Sequence, residues 1–88
     1  NEARILQSDD DNSATIRQGI GGTARRNEAT ANQSGQDNGT TITQGLLGDA
    51  KDNTATVTQS GDDNTASVTQ DGEDNEATVD QTTDSHTA

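Results

Sequence analysis

The sequence predicts an all-β protein whose fold is a flat two-sheet parallel β-solenoid of about three and a half coils, polymerising end to end. Three observations favour this class. A seven-residue unit recurs along the 88 residues, its fixed positions lie two residues apart, and turn-forming segments join the units at regular spacing. Repeats of about 20 to 50 residues are typical of solenoids and stacked arrays.

Each unit follows the pattern Asn-x-Ala-x-Val/Ile-x-Gln. The seven units read NEARILQ, NSATIRQ, NEATANQ, NGTTITQ, NTATVTQ, NTASVTQ and NEATVDQ. Only Thr40, in place of Ala, and Ala31, in place of Val or Ile, depart from the pattern. Successive side chains of a strand point to opposite faces, so a period of two puts the four fixed residues on one face. We expect this constant face to be buried and the variable face, rich in Thr, to be solvated.

The units alternate between two facing sheets, so that a pair of units forms one coil. The odd units open at Asn1, Asn27, Asn53 and Asn75, and the even units open at Asn12, Asn38 and Asn64. Short segments rich in Gly and Asp, such as QSGDDN at 59–64, predict the turns between them. Two connections, 19–26 and 45–52, are four residues longer than the short turns. The predicted solenoid covers residues 1–81, followed by a polar C-terminal tail at 82–88.

Stacked coils place like residues on like at a spacing of about 4.8 Å. The amides of each column can then hydrogen-bond along the stack, as in cross-β ladders. This matters because a buried amide without a partner costs about 1–3 kcal/mol. The predicted ladder residues are Asn1, Asn12, Asn27, Asn38, Asn53, Asn64, Asn75, Gln7, Gln18, Gln33, Gln44, Gln59, Gln70 and Gln81. The predicted core consists of Ala3, Ile5, Ala14, Ile16, Ala29, Ala31, Ile42, Ala55, Val57, Ala66, Val68, Ala77 and Val79.

Composition narrows the function classes. The chain has no aromatic residue and a net charge of -11, which by composition alone is typical of a disordered acidic tract. Strict register over seven units argues against disorder, while the lack of large side chains argues against an enzyme core. Sixteen acidic residues against five basic ones disfavour nucleic acid as a partner. No apolar run approaches the roughly 18 residues of a membrane span, so we expect no membrane insertion.

No chemistry-bearing motif stands out, and we expect no catalytic residue, metal or cofactor. His86, in the segment TTDSHTA, is interpreted as part of a frayed end because no catalytic partner is set by sequence. The Asp clusters lack the spacing of a calcium loop and are interpreted as solvated turns. Of two glycosylation sequons, at Asn32 and Asn38, only Asn32 is predicted to face outward and so to be a possible acceptor.

The segments Gln59–Gln70 and Gln70–Gln81 follow the pattern Gln-x-Gly-x-x-Asn-x-Ala-x3-Gln. This resembles the repeat of curlin, the subunit of bacterial curli fibres. Gln33–Gln44 fits with Thr40 at the Ala position, and the resemblance extends over residues 1–81. It implies a structural subunit of an extracellular amyloid fibre of the biofilm matrix, exported unfolded and assembled at the cell surface with secretion and nucleation factors.

The predicted fold leaves open sheet edges at the first and last coil. Exposed regular edges are templates for another chain, and the chain has no Pro to blunt them. Head-to-tail stacking of identical chains gives an open filament. Because seven strands divide into four and three, we expect a half-coil step that the next chain fills after rotating by about half a turn.

Charge is expected to oppose this assembly. The residues expected to line one edge are Asp9, Asp10, Asp11, Asp37, Asp62 and Asp63. Salt, divalent cations or acid should therefore speed assembly. On the other edge, the two long connections carry Arg25, Arg26 and Lys51, which we expect to contact other filaments.

Two alternatives stay open. The outward Thr residues resemble the flat Thr-x-Thr ranks of solenoid ice-binding proteins, although charged residues interrupt them. They are Thr41, Thr43, Thr54, Thr56, Thr58, Thr65 and Thr69. The second alternative is a minor or nucleator subunit of the same fibre.

Overall fold

The computed structural model describes residues 1–88 and contains strands and turns but no helix. The strands are β1 Glu2–Gln7, β2 Ser13–Gln18, β3 Ala24–Arg25, β4 Glu28–Ser34, β5 Gly39–Gln44, β6 Ala50–Lys51, β7 Thr54–Ser60, β8 Thr65–Gln70, β9 Gly72–Glu73 and β10 Glu76–Gln81. Their parallel sheets stack as a β-solenoid of about three turns. The predicted all-β, parallel β-solenoid fold is confirmed.

The two main sheets contain the repeated units in register. The first sheet has the order β1-β4-β7-β10, and the second has the order β2-β5-β8. Every pair is parallel, and each fixed residue lies beside its equivalent, as Gln33 beside Gln59 and Ile42 beside Val68. We call residues 1–26 coil 1, 27–52 coil 2, 53–74 coil 3 and 75–88 coil 4.

A third parallel sheet, β3-β6-β9, lies along one edge where the sequence suggested only connections. It pairs Arg25 with Lys51 and Lys51 with Glu73. Backbone bonds between coils hold it, among them Ala50 N–H to Thr23 C=O at 3.1 Å. The connections are thus long enough to add parallel backbone bonds of their own, and Ala50 is fully buried behind them.

The turns depend on left-handed backbone immediately before each repeat unit. The residue preceding each internal Asn of the repeat has positive φ, between 53° for Arg26 and 58° for Asp63 and Asp74. Asp occupies five of these six positions, and Asp tolerates this conformation better than most residues because its short polar side chain bonds locally. This explains the Asp-Asn steps that recur through the sequence.

The core lies between the two main sheets and consists of small side chains. The fully enclosed members are Ala29, Ala31, Ile42, Ala55, Val57, Ala66 and Val68, with Ala14, Ile16, Ala77 and Val79 partly buried against them. Ala3 and Ile5, expected in the core, differ: both are exposed, Ile5 by 44%. They belong to coil 1, which has a neighbouring coil on one side only.

None of the elements is a helix long and apolar enough to cross a membrane.

Candidate functional site: the amide columns and the strand edges

The glutamines form two continuous columns of side-chain hydrogen bonds. In the first sheet the amide Nε2 of Gln7 donates to Oε1 of Gln33 at 2.8 Å, and Gln33 to Gln59 and Gln59 to Gln81 at 2.9 Å each. In the second sheet Gln18 donates to Gln44 and Gln44 to Gln70. All these bonds point the same way, from each coil to the next one along the chain.

Every glutamine of the two columns except Gln7 also bonds across the core to the opposite sheet. Nε2 of Gln44, for example, lies 3.0 Å from the carbonyl of Glu28 and 3.1 Å from that of Asn53. Gln44 is completely buried and Gln59 is 1% exposed. Because burial of an unpaired amide is costly, these cross-sheet bonds let a polar side chain serve as core.

The asparagines stack differently from the glutamines. In the first five units, the Oδ1 of the Asn accepts the backbone N–H of the Asn in the next coil, as in Asn53 N to Asn27 Oδ1 at 3.0 Å. The Nδ2 groups of Asn12, Asn38 and Asn53 donate to turn carbonyls, as in Asn38 to Gly61 at 2.8 Å. Only Asn75 and Asn53 share a direct bond between side-chain amides. The expected side-chain ladder is therefore corrected for Asn, whose shorter side chain reaches the backbone and fixes the turn.

The two ends of the stack carry unpaired members of these columns. At the coil 1 end, Oε1 of Gln7 and Gln18 accepts no bond, while both Nε2 groups donate into the stack. At the other end, the Nε2 groups of Gln70 and Gln81 have no further glutamine and donate only to backbone carbonyls. One end thus offers acceptors and the other offers donors.

The tail residues 82–88 are not a frayed end but continue the solenoid. Thr87 forms a parallel bridge with Thr65, and the backbone N–H of His86 donates to Asn64 Oδ1 at 2.9 Å. Ser67 N–H donates to the carbonyl of Ala88 at 2.8 Å. His86 therefore occupies the Asn position of an eighth, partial repeat unit, with Ala88 at its Ala position, 22 residues after Asn64 and Ala66. That spacing equals the one from Asn53 to Asn75, and it was the feature of the sequence that could have predicted this partial unit.

The match at this end is imperfect. Asn12 and Asn38 donate through Nδ2 to the carbonyls of Gly35 and Gly61 in the next coil, both at 2.8 Å. Thr83 stands where the next Gly would be, and the buried Nδ2 of Asn64 has no partner. The ring Nε2 of His86 contacts the hydroxyl of Thr83. The last turn is thus the weakest copy of the motif.

Turn aspartates bind the backbone of the neighbouring coil. Asp9 accepts the N–H of Gly35 at 3.1 Å, and Asp62 accepts that of Gln36 at 2.9 Å. On the opposite edge Asp71 accepts the N–H of Leu46 at 2.7 Å. The sequence indicated solvated turns without this role. No group of three or more His, Cys, Asp or Glu side chains is placed to hold a metal ion.

One ion-pair cluster bridges coils 1 and 2. Arg26 Nε lies 2.7 Å from a carboxylate oxygen of Asp52, and Lys51 Nζ lies 3.5 Å from the other. Desolvation raises the pKa of Asp52, but the hydrogen bonds and positive charges of Arg26 and Lys51 outweigh it, so the pKa lies below its usual value. The cluster links the long connections of coils 1 and 2 at the surface of the solenoid.

Asn32 lies on the outward face of β4, between Leu6 of β1 and Thr58 of β7. It is half-buried, and its Oδ1 has no hydrogen-bond partner. Glycosylation at Asn32 stays a prediction. Asn38, in the other sequon, is 1% exposed with both side-chain ends bonded.

Comparison with protein families gives a match to the curlin associated repeat at residues 48–82 and again at 61–88. This is a structural, non-enzymatic family whose members are components of extracellular fibres. The match lies in the second half of the chain, while the units before residue 48 show the same pattern and stack in the same fold. Comparisons with curated proteins and with solved structures give no match. Residues 48–88 thus contain two matches to the curlin associated repeat, and this part of the chain is similar to that family.

Proposed function

We propose that the protein is a structural subunit of an extracellular, curli-like amyloid fibre of the biofilm matrix, and that it assembles by head-to-tail stacking. It is secreted, and its main partner is another copy of itself, with secretion and nucleation factors assisting assembly at the cell surface. The observation that carries this proposal is the complementarity of the two open ends.

Complementarity has three parts. At one end the Oε1 atoms of Gln7 and Gln18 accept no bond, and at the other the Nε2 groups of Gln70 and Gln81 have no glutamine acceptor. The exposed Ile5 offers apolar surface that another coil would bury. The backbone edges of β1 and β10 are both unpaired on their outer sides. Stacking satisfies all three at once, and nothing in the contact closes it.

We derive the geometry of the joint from the strand position beside β8, which the tail only partly fills. In the 88-residue chain, residues 86–88 occupy only the start of that position and all seven tail residues are exposed. We propose that β1 of an incoming chain displaces them and pairs with β8, which requires a rotation of about half a turn. Its β2 then pairs with β10, so that Arg17 lies beside Asp80 and Thr15 beside Thr78. A joint without rotation would instead set Glu2 beside Glu76 and Arg4 beside Thr78.

Electron microscopy of the purified chain tests the proposal, with long unbranched filaments as the expected result. A chain that stays monomeric under every solution condition contradicts the fibre role. The joint is tested by disulfide trapping, which is clean because the chain has no cysteine. Adjacent strands lie about 4.8 Å apart, within the Cα range of about 4.4–6.8 Å that a disulfide needs.

The matched variants are T15C/T78C and R4C/T78C, whose positions are all exposed. We expect filaments of T15C/T78C to form intermolecular disulfides. Filaments of R4C/T78C should form none and should run as monomers on a non-reducing denaturing gel. The opposite result would establish a joint without rotation while leaving the fibre role intact.

A second candidate function is ice binding by a soluble solenoid. The column Thr30, Thr56 and Thr78 is continuous on the outer face of the first sheet, which favours it. Against it, Glu28 and Glu76 flank Thr54 in the neighbouring column, so the array is not flat and uncharged. Thermal hysteresis from a monomer would support ice binding. A minor or nucleator role would show instead as seeding of a different subunit by a substoichiometric amount of this chain.

A further inference from the structure

An apolar ledge projects from the edge that carries the third sheet. It consists of Ile20, Leu46 and Leu47, exposed by 43%, 37% and 83% respectively. The connections of coils 1 and 2 that carry these residues, 19–26 and 45–52, are four residues longer than that of coil 3, 71–74. Coil 3, with its shorter connection, has no counterpart of the ledge. In a chain with only ten Leu, Ile and Val residues, exposing three of them on one edge favours a contact that covers them.

Charge changes in sign along the same edge. The coil 1 connection carries Arg25 and Arg26, a net of +2. The coil 2 connection carries Asp49, Lys51 and Asp52, a net of -1. The coil 3 connection has only acidic charges, with a net of -3, and they belong to Asp71, Glu73 and Asp74. The edge thus runs from positive to strongly negative over three coils.

The outer face of the third sheet repeats this gradient in one column of side chains. Arg25, Lys51 and Glu73 stack in register and line a shallow depression with Thr23 and Asp49. The ion pairs of this edge join Arg26 and Lys51 to Asp52. Arg25 and Glu73 are in no ion pair within the chain, so each has its charge free for a partner.

We propose that this edge docks against the same edge of a second copy of the chain running in the opposite direction. Antiparallel pairing sets the coil 1 connection of each copy against the coil 3 connection of the other, so that Arg25 faces Glu73 twice. Parallel pairing would set like charges against like in every coil. Such a two-fold contact is self-complementary, and it places the coil 2 ledges, with Leu47, against each other.

The proposal rests on the fibre role for its strength. One such contact is small, but with the half-turn joint a filament presents this edge to the same side in every second subunit, so that many weak contacts act together. The inference is therefore that filaments associate laterally in antiparallel pairs through the ledge and the charged column, which we call the pairing edge. Failure to form filaments and failure of filaments to associate laterally are separate results, because electron microscopy distinguishes single filaments from bundles.

Disulfide trapping at the two-fold axis tests the contact directly. We expect Leu47→Cys to form a disulfide between two copies, since the axis brings Leu47 of one copy to Leu47 of the other. Gln36→Cys, exposed on the opposite edge of the same coil, is the matched control and should form several-fold less. Equal cross-linking of both variants, or none in Leu47→Cys while filaments form, overturns the inference.

Charge reversal tests the direction of pairing. Arg25→Glu and Glu73→Arg each set like charges together and should reduce filament bundling roughly fivefold, as expected for loss of exposed ion pairs. The double variant R25E/E73R restores the match and should restore bundling. Bundling that falls further in the double variant contradicts antiparallel pairing.

An apolar ledge beside basic side chains also fits an anionic lipid surface, and the same variants distinguish the two. Sedimentation with vesicles of phosphatidylcholine and phosphatidylglycerol should leave the wild-type chain in the supernatant. Sedimentation that depends on Leu47 and Arg25, together with no Leu47→Cys disulfide, would assign the edge to a membrane and overturn the pairing. Filaments that do not form at all would contradict the fibre role instead.

Discussion

Strands β1 and β7 carry the same repeated unit but have opposite environments. In β7 the inward residues Ala55, Val57 and Gln59 are almost completely buried, whereas all six residues of β1 are exposed. The residues at equivalent positions are similar, and the difference is that β7 has a strand on both sides and β1 on one. Burial in this fold is therefore supplied by the neighbouring coil rather than by the residue. A stacked second copy would give β1 what β7 already has.

The largest expected contrast is in the apolar columns. Ile42→Ala removes a completely buried side chain and should lower the free energy of unfolding by about 3 kcal/mol. Ile5→Ala, at the exposed end, should cost the monomer about 0.5 kcal/mol, since much of the side chain is already in water. Thermal or urea unfolding followed by circular dichroism measures both. Similar losses in the monomer would break the comparison.

The amide columns should show a smaller contrast of the same kind. Gln59→Ala removes the acceptor of Gln33 and the donor to Gln81, leaving buried groups unpaired at a cost of about 2 kcal/mol. Gln7→Ala breaks one bond at the open end and should cost about 0.5 kcal/mol. The substitution is the same in both variants, so position in the stack is the only intended variable. Equal costs would mean that the column does not depend on its neighbours.

Assembly should make the two ends of the stack resemble its middle, and we expect salt to speed assembly. The net charge of -11 opposes the approach of two chains, and screening at about 1 M salt shortens the Debye length to about 3 Å. We expect the lag before filament growth to shorten roughly tenfold between low salt and about 1 M salt. Light scattering measures the lag, and Ile5→Ala should now slow growth. A lag independent of salt contradicts the electrostatic explanation.

The smallest effect concerns Asp52 on the pairing edge. Desolvation raises its pKa, but Arg26 and Lys51 lower it more, so the folded chain holds the carboxylate charged to lower pH than the unfolded chain. Its contribution to stability is therefore present above the ordinary Asp pKa of about 3.9 and is lost as pH falls through the lower folded value.

Nuclear magnetic resonance of the Asp52 side chain against pH measures this directly. Replacing Arg26 with Gln should raise the pKa of Asp52 toward its ordinary value. An unchanged titration would show that the ion pair is not formed in solution.

The repeat predicted most of the fold because every layer uses the same residues for the same purpose. Period two and the spacing of Asn placed β4, β5, β7 and β8 and the inward residues Ile42 and Val57 correctly. The exposure of Ile5 could not follow from its own unit, since the unit is the same as in the middle. The third sheet was missed although the connections 19–26 and 45–52 share Gly and Ala at equivalent positions, because its strands are only two residues long and show no period of two.

The chemistry of the columns was only partly predictable. That Asn27 would bind the backbone of Asn53, while Gln33 would bind the side chain of Gln59, depends on one methylene and on the turn geometry beside it. The eighth, partial repeat unit at residues 86–88 was missed because His86 occupies the position that Asn occupies in the other units. Spacing alone carried that signal, and composition pointed to a solvated end.

The shared orientation of the glutamine hydrogen bonds would make any fibre of this chain polar. Each glutamine amide donates to the glutamine of the next coil, from Gln7 toward Gln81, whereas each contact between asparagines has its donor in the later coil and its acceptor in the earlier one. A subunit added in the reversed orientation would set amide donors against donors or oxygens against oxygens, so we expect it not to bind. The two tips are thus chemically unlike, and we expect one of them to lengthen faster than the other.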